Sequence, residues 1–483
     1  MASTFMGISI ANTGLSSSQI GLSTTTNNIS NENTTGYSRQ VVTQIAVGPA
    51  AVYTKSSYVG SGSDVTSVDR VSSFRLNQKY WEENTALGEW DTKSSYLTQV
   101  EEVLGTSSDD DDFSTTMDSF YSALSDLSSD PSSDSARAVV REDGEAVCEY
   151  LNNASSELTS LRADVNSDVK TQVDEINSYS QQIADLNQRI SVAEASGSSA
   201  NELEDQRDLL VDKLSALADV SVTKTVIGTT AGGSDVTTYD ISVGGATLVS
   251  GNEARQLECT TGTDGMYDVV WADTGASFSP GSSGSLKADL DLRDGTGSDG
   301  EYQGIPYYMS QLDTFAQTFA EAFNEGVYKD GSSYYSGYSA GYGTDGNTGY
   351  RFFSYDGLSS STLAADISSS SMADVYANIT AANISLSSDV EDDLSTIAAA
   401  SSADDTSGDN TNVQNLISIC DDSRMFASGT AEDYYNSIIA TLGTATSFAS
   451  RQDSVQSSIA SYIDSSRSSV SGVSTNEETA NLT

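Results

Sequence analysis

Residues 147–190 read VCEYLNNASSELTSLRADVNSDVKTQVDEINSYSQQIADLNQRI. Their apolar positions are Val147, Leu151, Ala154, Leu158, Leu161, Val165, Val169, Val173, Ile176, Ile183 and Ile190, at steps of three or four except for a weak place near Tyr179 and Leu186. That spacing lays one apolar stripe along an α-helix. Pro131 stands just upstream, with Ser133 or Asp134 as cap, so the pattern predicts a helix from Ala136 to Ala195, roughly 60 residues and about 90 Å long. Globular helices rarely run so far, so antiparallel partners must cover the stripe. Three segments can supply them. Asn201 to Ala218 carries Leu203, Leu210, Leu214 and Leu217 behind a Ser199-x-x-Glu202 capping box; residues 302–327 form the second; residues 430–470 carry Val455, Ile459, Tyr462, Ile463 and Val470. Upstream, Phe74, Trp81, Leu87, Trp90, Leu97, Val100 and Leu104 mark a further helical stretch. The expected fold class is mixed and mainly α, an elongated long-helix bundle with inserted β-rich domains.

The insertions differ in texture. Residues 220–290 alternate short Val, Ile, Tyr and Thr runs with Gly-Gly, Gly-Asn and Asp-Gly turns, as in Ile241-Ser242-Val243-Gly244-Gly245 and Tyr267-Asp268-Val269-Val270-Trp271. This is a strand and hairpin signature. The expected organisation is an N-terminal helix and Asn-rich turn (1–40), an extended connector (41–72), a first helical part (73–219), a β-rich insertion (220–290), a helical return (291–327), a second insertion (328–405) and a last helical part (406–483).

Composition removes whole classes of function. The 483 residues hold 22 Lys and Arg against 69 Asp and Glu, a net charge of −47, which repels nucleic-acid phosphates and anionic membranes. There is no histidine, so the usual general base and the commonest metal ligand are missing. Cys148, Cys259 and Cys420 show no metal-site spacing and read as isolated thiols. No apolar run is long enough to span a bilayer, and no basic region followed by an apolar stretch predicts a cleaved signal peptide. At −47 per chain, neighbouring copies repel, so association is expected to need salt or divalent cations.

Other candidate chemistry is weak. Asp109 to Asp112 lacks the spacing of a calcium loop and reads as a solvated loop before a helix. Gly295 to Gly300 satisfies G-x-G-x-x-G outside any βαβ unit and reads as a flexible connection. The tyrosines at 328, 334, 335, 338, 342 and 350 read as a packed or loosely ordered surface insertion, the alternative being a binding surface. No catalytic, cofactor or metal residue is assigned.

The first 30 residues place Met1, Ile8, Leu15, Leu22 and Ile29 at a strict interval of seven, with Phe5 on the neighbouring column. One such column makes a narrow helical seam suited to another helix. Four Asn fall within residues 27–33, and Gly36 can turn left-handed, so a helix end and turn precede a strand near Val41 to Val47. The run Asn33-Thr34-Thr35-Gly36-Tyr37-Ser38-Arg39-Gln40 resembles the hook-associated protein 1 family among the axial proteins of the bacterial flagellum. The family usually has Pro where Thr35 stands. Three later stretches resemble the same family: Asp205 to Leu214; Gly284 to Asp294 with Ile305-Pro306-Tyr307-Tyr308; and Val470 to Ser474 followed by Glu477-Glu478-Thr479-Ala480-Asn481-Leu482.

The resemblance implies a structural protein that self-assembles as the junction layer between hook and filament. It further implies a ring-like layer of about 11 subunits, contacts with hook protein and a second junction protein, an export chaperone, and an extracellular place reached by type III export. The implied assembly interface is Phe5, Ile8, Leu15, Leu22, Ile29, Gly36, Tyr37 and Arg39. In the family a C-terminal helix follows the Glu-Glu-x-Ala-Asn-Leu motif, whereas this chain stops at Thr483. The expectation is a truncated partner helix, an unsatisfied seam on residues 1–30, limited assembly and a mobile segment. The alternatives are an extracellular adhesin or enzyme carried by the insertions, and hook protein itself.

Overall fold

The computed structural model describes residues 4–48, 50–51, 58–105, 113–230, 233, 235–328 and 331–482. Asp109 to Asp112 lie outside the described residues. The chain begins with helix α1 (Thr4–Ser30), strands β1 (Gln40–Ala46), β2 (Ala50–Ala51), β3 (Tyr58–Val59) and β4 (Ser63–Arg70), then helices α2 (Phe74–Val103), α3 (Phe113–Ser129), α4 (Asp134–Ala195) and α5 (Asn201–Leu217). Strands β5 (Val220–Thr229), β6 (Asp235–Val243), β7 (Ala246–Ser250), β8 (Glu253–Ala254), β9 (Leu257–Thr261) and β10 (Tyr267–Trp271) follow, and then α6 (Ser285–Asp294) and α7 (Ile305–Glu325). The remainder comprises β11 (Phe353–Tyr355), α8 (Ser360–Ser369), α9 (Met372–Tyr376), β12 (Ile384–Leu386), α10 (Ser388–Asp392), α11 (Thr411–Cys420), α12 (Ala431–Ser471) and α13 (Thr475–Leu482). The fold is mainly α with inserted β parts, as the sequence predicts.

Two compact units form from discontinuous segments. One holds Met1–Thr92, Asp168–Ala288 and Arg451–Thr483; the other holds Lys93–Ser167 and Asp289–Ser450. Helices α2, α4, α6 and α12 contribute residues to both.

In the first unit, the weak place in the α4 stripe has a physical reason. Asn177 Nδ2 donates to the Leu257 carbonyl and its Oδ1 accepts from the Leu257 amide, both at 2.8 Å. Asn187 Nδ2 donates to the carbonyls of Tyr239 and Gly251 at 2.9 and 2.8 Å. Half-buried Asn177 and buried Asn187 thus satisfy strand backbone where the apolar stripe of α4 thins. The antiparallel sheet runs β5-β6-β7-β8, beside a β9-β10 ribbon, and β1 pairs with β4.

The contact between α2 and α5 is polar and close. Trp81 Nε1 donates to Asp212 Oδ1 at 2.6 Å, and Asn84 Nδ2 donates to the Asp212 carbonyl and to Ser215 Oγ, both at 2.9 Å. A Cβ at Gly88 would stand 2.2 Å from the Ala216 carbonyl oxygen. Gly88→Ala therefore should lower stability by about 1–3 kcal/mol through overpacking, although alanine is the better helix former by about 1 kcal/mol. Urea unfolding measures this; a more stable variant would show that the helices can part.

Three sequence readings need correction here. The Ser199 and Glu202 capping box does not form: the N-cap is Ala200 with no side-chain cap bond. Ser199 Oγ donates to Asp69 Oδ1 instead, and Glu202 Oε1 accepts from Gln40 Nε2. On α5, Asp205, Arg207 and Asp208 are buried beside Val211 and Leu214, while Leu203, Leu210 and Leu217 are only half-buried. On α12, Ala460 and Ile463 are buried but Val455 and Tyr462 are exposed.

The second unit is built on aromatics from α3, α7 and α12. Phe113 stacks on Tyr435 at 4.0 Å and meets Phe315 edge-on at 5.0 Å, and Phe120, Phe323, Phe352 and Phe353 continue the cluster. Tyr328 and Tyr338 are buried and donate to Asp422 Oδ2 and the Thr396 carbonyl, so that part of the tyrosine-rich stretch packs inward. Tyr334 is exposed, with the Arg424 guanidinium 3.5 Å over its ring. The Gly295 to Gly300 segment is a tight packed turn rather than a loose connection. The Gly304 amide donates to the Gly295 carbonyl at 3.0 Å, and a Cβ on Gly295 would stand 2.3 Å from the Tyr302 carbonyl oxygen. Among the described residues the cysteines form no disulfide, and Cys148 and Cys420 are buried.

Candidate assembly interface

Helix α1 turns its polar side to its own chain. Ser17, Thr25 and Asn28 are buried. Ser17 Oγ donates to the Ser63 carbonyl at 3.3 Å, and Gln44 Nε2 donates to the Ser17 carbonyl at 3.5 Å. Gly62, at φ +104°, brings the ribbon against Thr13; a Cβ there would stand 2.1 Å from Thr13 Oγ1. The opposite side is apolar and bare: Ile8, Leu15 and Leu22 are 66%, 58% and 53% exposed. Residues seven apart drift only about 20° around a helix, so the three form one stripe, which Ile29 extends in half-buried form. The side chain of Phe5, like Met1, lies outside the described residues.

The turn after α1 is a clamp. Asn28 Nδ2 donates to the Gln40 carbonyl and Asn28 Oδ1 accepts from the Gln40 amide, both at 2.9 Å. Tyr37 Oη donates to the same Oδ1 at 2.8 Å. Gly36 takes φ +82°, the left-handed region where glycine is free of the Cβ clash. The Ser38 amide donates to Asp205 Oδ2 at 2.9 Å, which fastens the turn to α5. The Arg39 amide donates to the Ser471 carbonyl at 2.7 Å, and its guanidinium pairs with Glu477 Oε2 at 3.4 Å. Thr475 Oγ1 donates to Glu32 Oε1. Chain start and chain end therefore meet at this turn.

The predicted interface residues fall into two groups. Ile8, Leu15, Leu22 and Ile29 share a stripe of α1, whereas Gly36, Tyr37 and Arg39 form the clamp.

Comparison with known proteins bears on what such a surface serves. Residues 97–353 match the family described as "Flagellar hook-associated protein FlgK helical domain". The flagellar hook-associated protein 1 of Bacillus subtilis (strain 168) is 31% identical over the whole chain, which covers 94% of that relative. The chain belongs to the flagellar hook-associated protein 1 family. The proteins of the same name in Escherichia coli (strain K12) and Salmonella typhimurium are 30% and 29% identical over 72% of this chain, and the match spans 59% of each. A solved structure, the flagellar hook junction protein FlgK from Burkholderia pseudomallei, aligns over 58% of this chain and 47% of its own, at 25% identity and a TM-score of 0.46. As a member of the hook-associated protein 1 family, the chain is a structural flagellar protein of the hook-filament junction and not an enzyme. Among the described residues, no helix is long and apolar enough to cross a membrane.

Sequence reasoning missed the groups that hold this hook-associated protein's clamp. Arg70, at the end of β4, pairs with Glu204 at 2.7 Å and with Asp205 and Asp208 at 2.8 Å each. The available signal was the row Glu204, Asp205, Asp208 and Asp212 along one side of α5. In a chain with 69 acids it could not be singled out.

A cleft of 690 Å³ opens where three of the family-like stretches converge. The turn from Glu32 to Ser38 forms one wall, Leu209 and Ala216 of α5 with Leu76 and Tyr80 of α2 another, and Ser471 to Val473 an end.

Burial first, then the charges of Glu202, Asp205 and Glu478, push the Tyr37 hydroxyl up from its ordinary 10.0 to about 12. A folded value above the unfolded one means that this group's contribution is fully present below pH 10. It falls as pH rises through about 12, because the unfolded chain sheds the proton first. Subtracting the alkaline absorbance titration of Tyr37→Phe from that of the parent should leave one tyrosinate step near pH 12. A step near pH 10 would show that the hydroxyl is not enclosed.

Proposed function

We propose that this chain builds the hook-filament junction by packing the bare stripe of α1 against helices of neighbouring subunits, with the clamp at residues 36–40 setting the direction in which α1 leaves the body. The observation that carries this reading is the inversion of α1: its polar side is used within the chain, and Ile8, Leu15 and Leu22 stay in water. Covering each such side chain contributes about 1.5–3 kcal/mol. Phe5 and Ile29 belong to the same interface, and Tyr37, Gly36 and Arg39 position it.

The proposed division is assembly segment 1–40, connector 41–72, helical parts 73–219, 291–327 and 406–483, and insertions 220–290 and 328–405. The proposed partners are other copies in a ring-like layer of about 11, hook protein, a second junction protein and an export chaperone, after type III export. A joint between two unlike tubes needs two unlike axial faces and a repeated lateral contact, which a heterologous arrangement supplies.

The charge distribution suits it. Residues 1–63 hold one acid, Glu32, against Arg39 and Lys55, in a chain of net charge −47. Close approach of copies is least opposed there. Expressed in a flagellated strain lacking its own junction protein, the chain should restore filament attachment, scored by electron microscopy and by flagellin lost to the medium. Purified copies should associate at about 0.5 M salt and not at about 10 mM, where the Debye length grows to about 30 Å. Failure to restore attachment, or association indifferent to salt, counts against the reading.

A further inference from the structure

Strand β5 is an edge of its sheet and is covered over only part of its length. Val222 is buried and its carbonyl accepts from Gln78 Nε2 at 3.2 Å. Beyond it the strand emerges: Val226 and Ile227 are 55% and 56% exposed, and Lys224, Gly228 and Thr229 are exposed as well. The pairing with β6 shifts register between Val226 and Gly228, leaving Ile227 without a partner, so the edge bends at a bulge where both apolar side chains stand bare. A concave surface covers more of such a bent, projecting edge than a flat one does. A long bare edge is also a standing invitation to mispairing, which proteins ordinarily blunt with charge or cover.

The charge pattern narrows the partner. Residues 220–234 contain no acid and one cation, Lys224, although 69 of the 483 residues are acids. The cleft beside the clamp includes Leu76, Leu209 and Val473 in its lining. Its lining carries five carboxylates against three cationic side chains. The bare half of β5 is thus complementary in sign and polarity to a cleft that every copy of the chain presents.

We propose that the projecting half of β5, Lys224–Thr229, docks into the clamp cleft of a second copy of this chain. This rests on the assembly reading above and adds to it a lateral contact separate from the α1 stripe. Because strand and cleft are different surfaces, the contact is heterologous and can repeat around a ring. Lys224 then lies among the cleft carboxylates, and Val226 and Ile227 meet its apolar lining.

The test uses the full chain with Cys259→Ser, mixed at about 0.5 M salt, where the Debye length is about 4 Å. Protein carrying Ile227→Cys is combined with protein carrying Lys213→Cys at the cleft, or with protein carrying Val192→Cys, an exposed control on α4, and treated with a short thiol cross-linker. Cross-linking to Lys213→Cys should exceed that to Val192→Cys by about tenfold or more, and Val226→Asp with Ile227→Asp should weaken association by a similar factor in sedimentation. Equal cross-linking to the two positions overturns the docking. Association that survives the β5 aspartates but is lost in Leu15→Asp with Leu22→Asp overturns the docking alone and leaves the α1 reading standing. Chains that never associate at high salt overturn both.

Discussion

Leu15→Asp combined with Leu22→Asp should abolish filament attachment in a rescued strain while leaving the melting temperature of the isolated chain almost unchanged. Both side chains stand in water in the folded chain, at 58% and 53% exposure, so their loss removes little packing. Surface changes of this kind usually fall within about 0.5 kcal/mol, with a small added cost because aspartate is the poorer helix former. In an assembled tube the same positions are covered. Each substitution then loses about 1.5–3 kcal/mol of apolar burial and places a charge where burial penalises it by several kcal/mol more. For two positions this exceeds about 5 kcal/mol per subunit contact, or more than a thousandfold in an association constant. Neighbouring subunits would also repel at a stretch of the chain that is almost free of acids. Ser9→Asp and Ser16→Asp, on exposed positions about 100° around the helix from the stripe, control for added charge and should still attach filaments. Normal attachment with the leucine substitutions would mean that the stripe is not buried in the flagellum.

How far the sequence foretold this molecule depends on which physical signal dominated. Helix α4 was legible because an apolar step of three or four over more than forty residues has no other economical fold, and it is found over Asp134–Ala195. Its start was legible too, since Ser133 Oγ accepts from the Ala136 amide at 3.2 Å. The helix end at Ser30 and the left-handed Gly36 followed from local Asn and Gly chemistry. What stayed hidden was long-range polar pairing. A motif such as Ser199-x-x-Glu202 fits a local cap, yet tertiary partners claimed both side chains: Asp69 the serine and Gln40 the glutamate. Asn28 looked like one of four helix-ending asparagines and is instead the buried centre of the clamp. The side of α1 that rests on its own chain was unreadable for a related reason. Amphipathic helices usually bury their apolar side, and here Ser17, Thr25 and Asn28 are buried while the leucines are bare.

Arg70→Met should be the most destabilising single substitution considered, at about 3–5 kcal/mol near neutral pH. Its guanidinium is 8% exposed and bonds Glu204, Asp205 and Asp208, so a neutral side chain of similar length leaves three carboxylates crowded in a dry site. Burial already holds the Asp205 carboxyl above its usual range, opposed by the Ser38 and Arg70 hydrogen bonds. Without Arg70 the upward push is unopposed from that side. A carboxyl whose folded value is raised makes the folded chain bind more protons than the unfolded one, so the variant should regain stability as pH falls from 7 toward 4. The deficit relative to the parent, measured by urea unfolding at each pH, therefore narrows on acidification. Arg70→Lys should recover only part of the loss, because a single ammonium lacks the planar fork that reaches three carboxylates at once. The damage also travels to the assembly surface: Asp205 holds the Ser38 amide at 2.9 Å, and in β4 Arg70 pairs with Gln40, which Asn28 grips. Amide exchange at Ser38 and Gln40 should accelerate in Arg70→Met more than exchange in α7, which belongs to the other unit. A loss below about 1 kcal/mol with no pH trend would show that water reaches the cluster and that the ion pairs behave as surface ones.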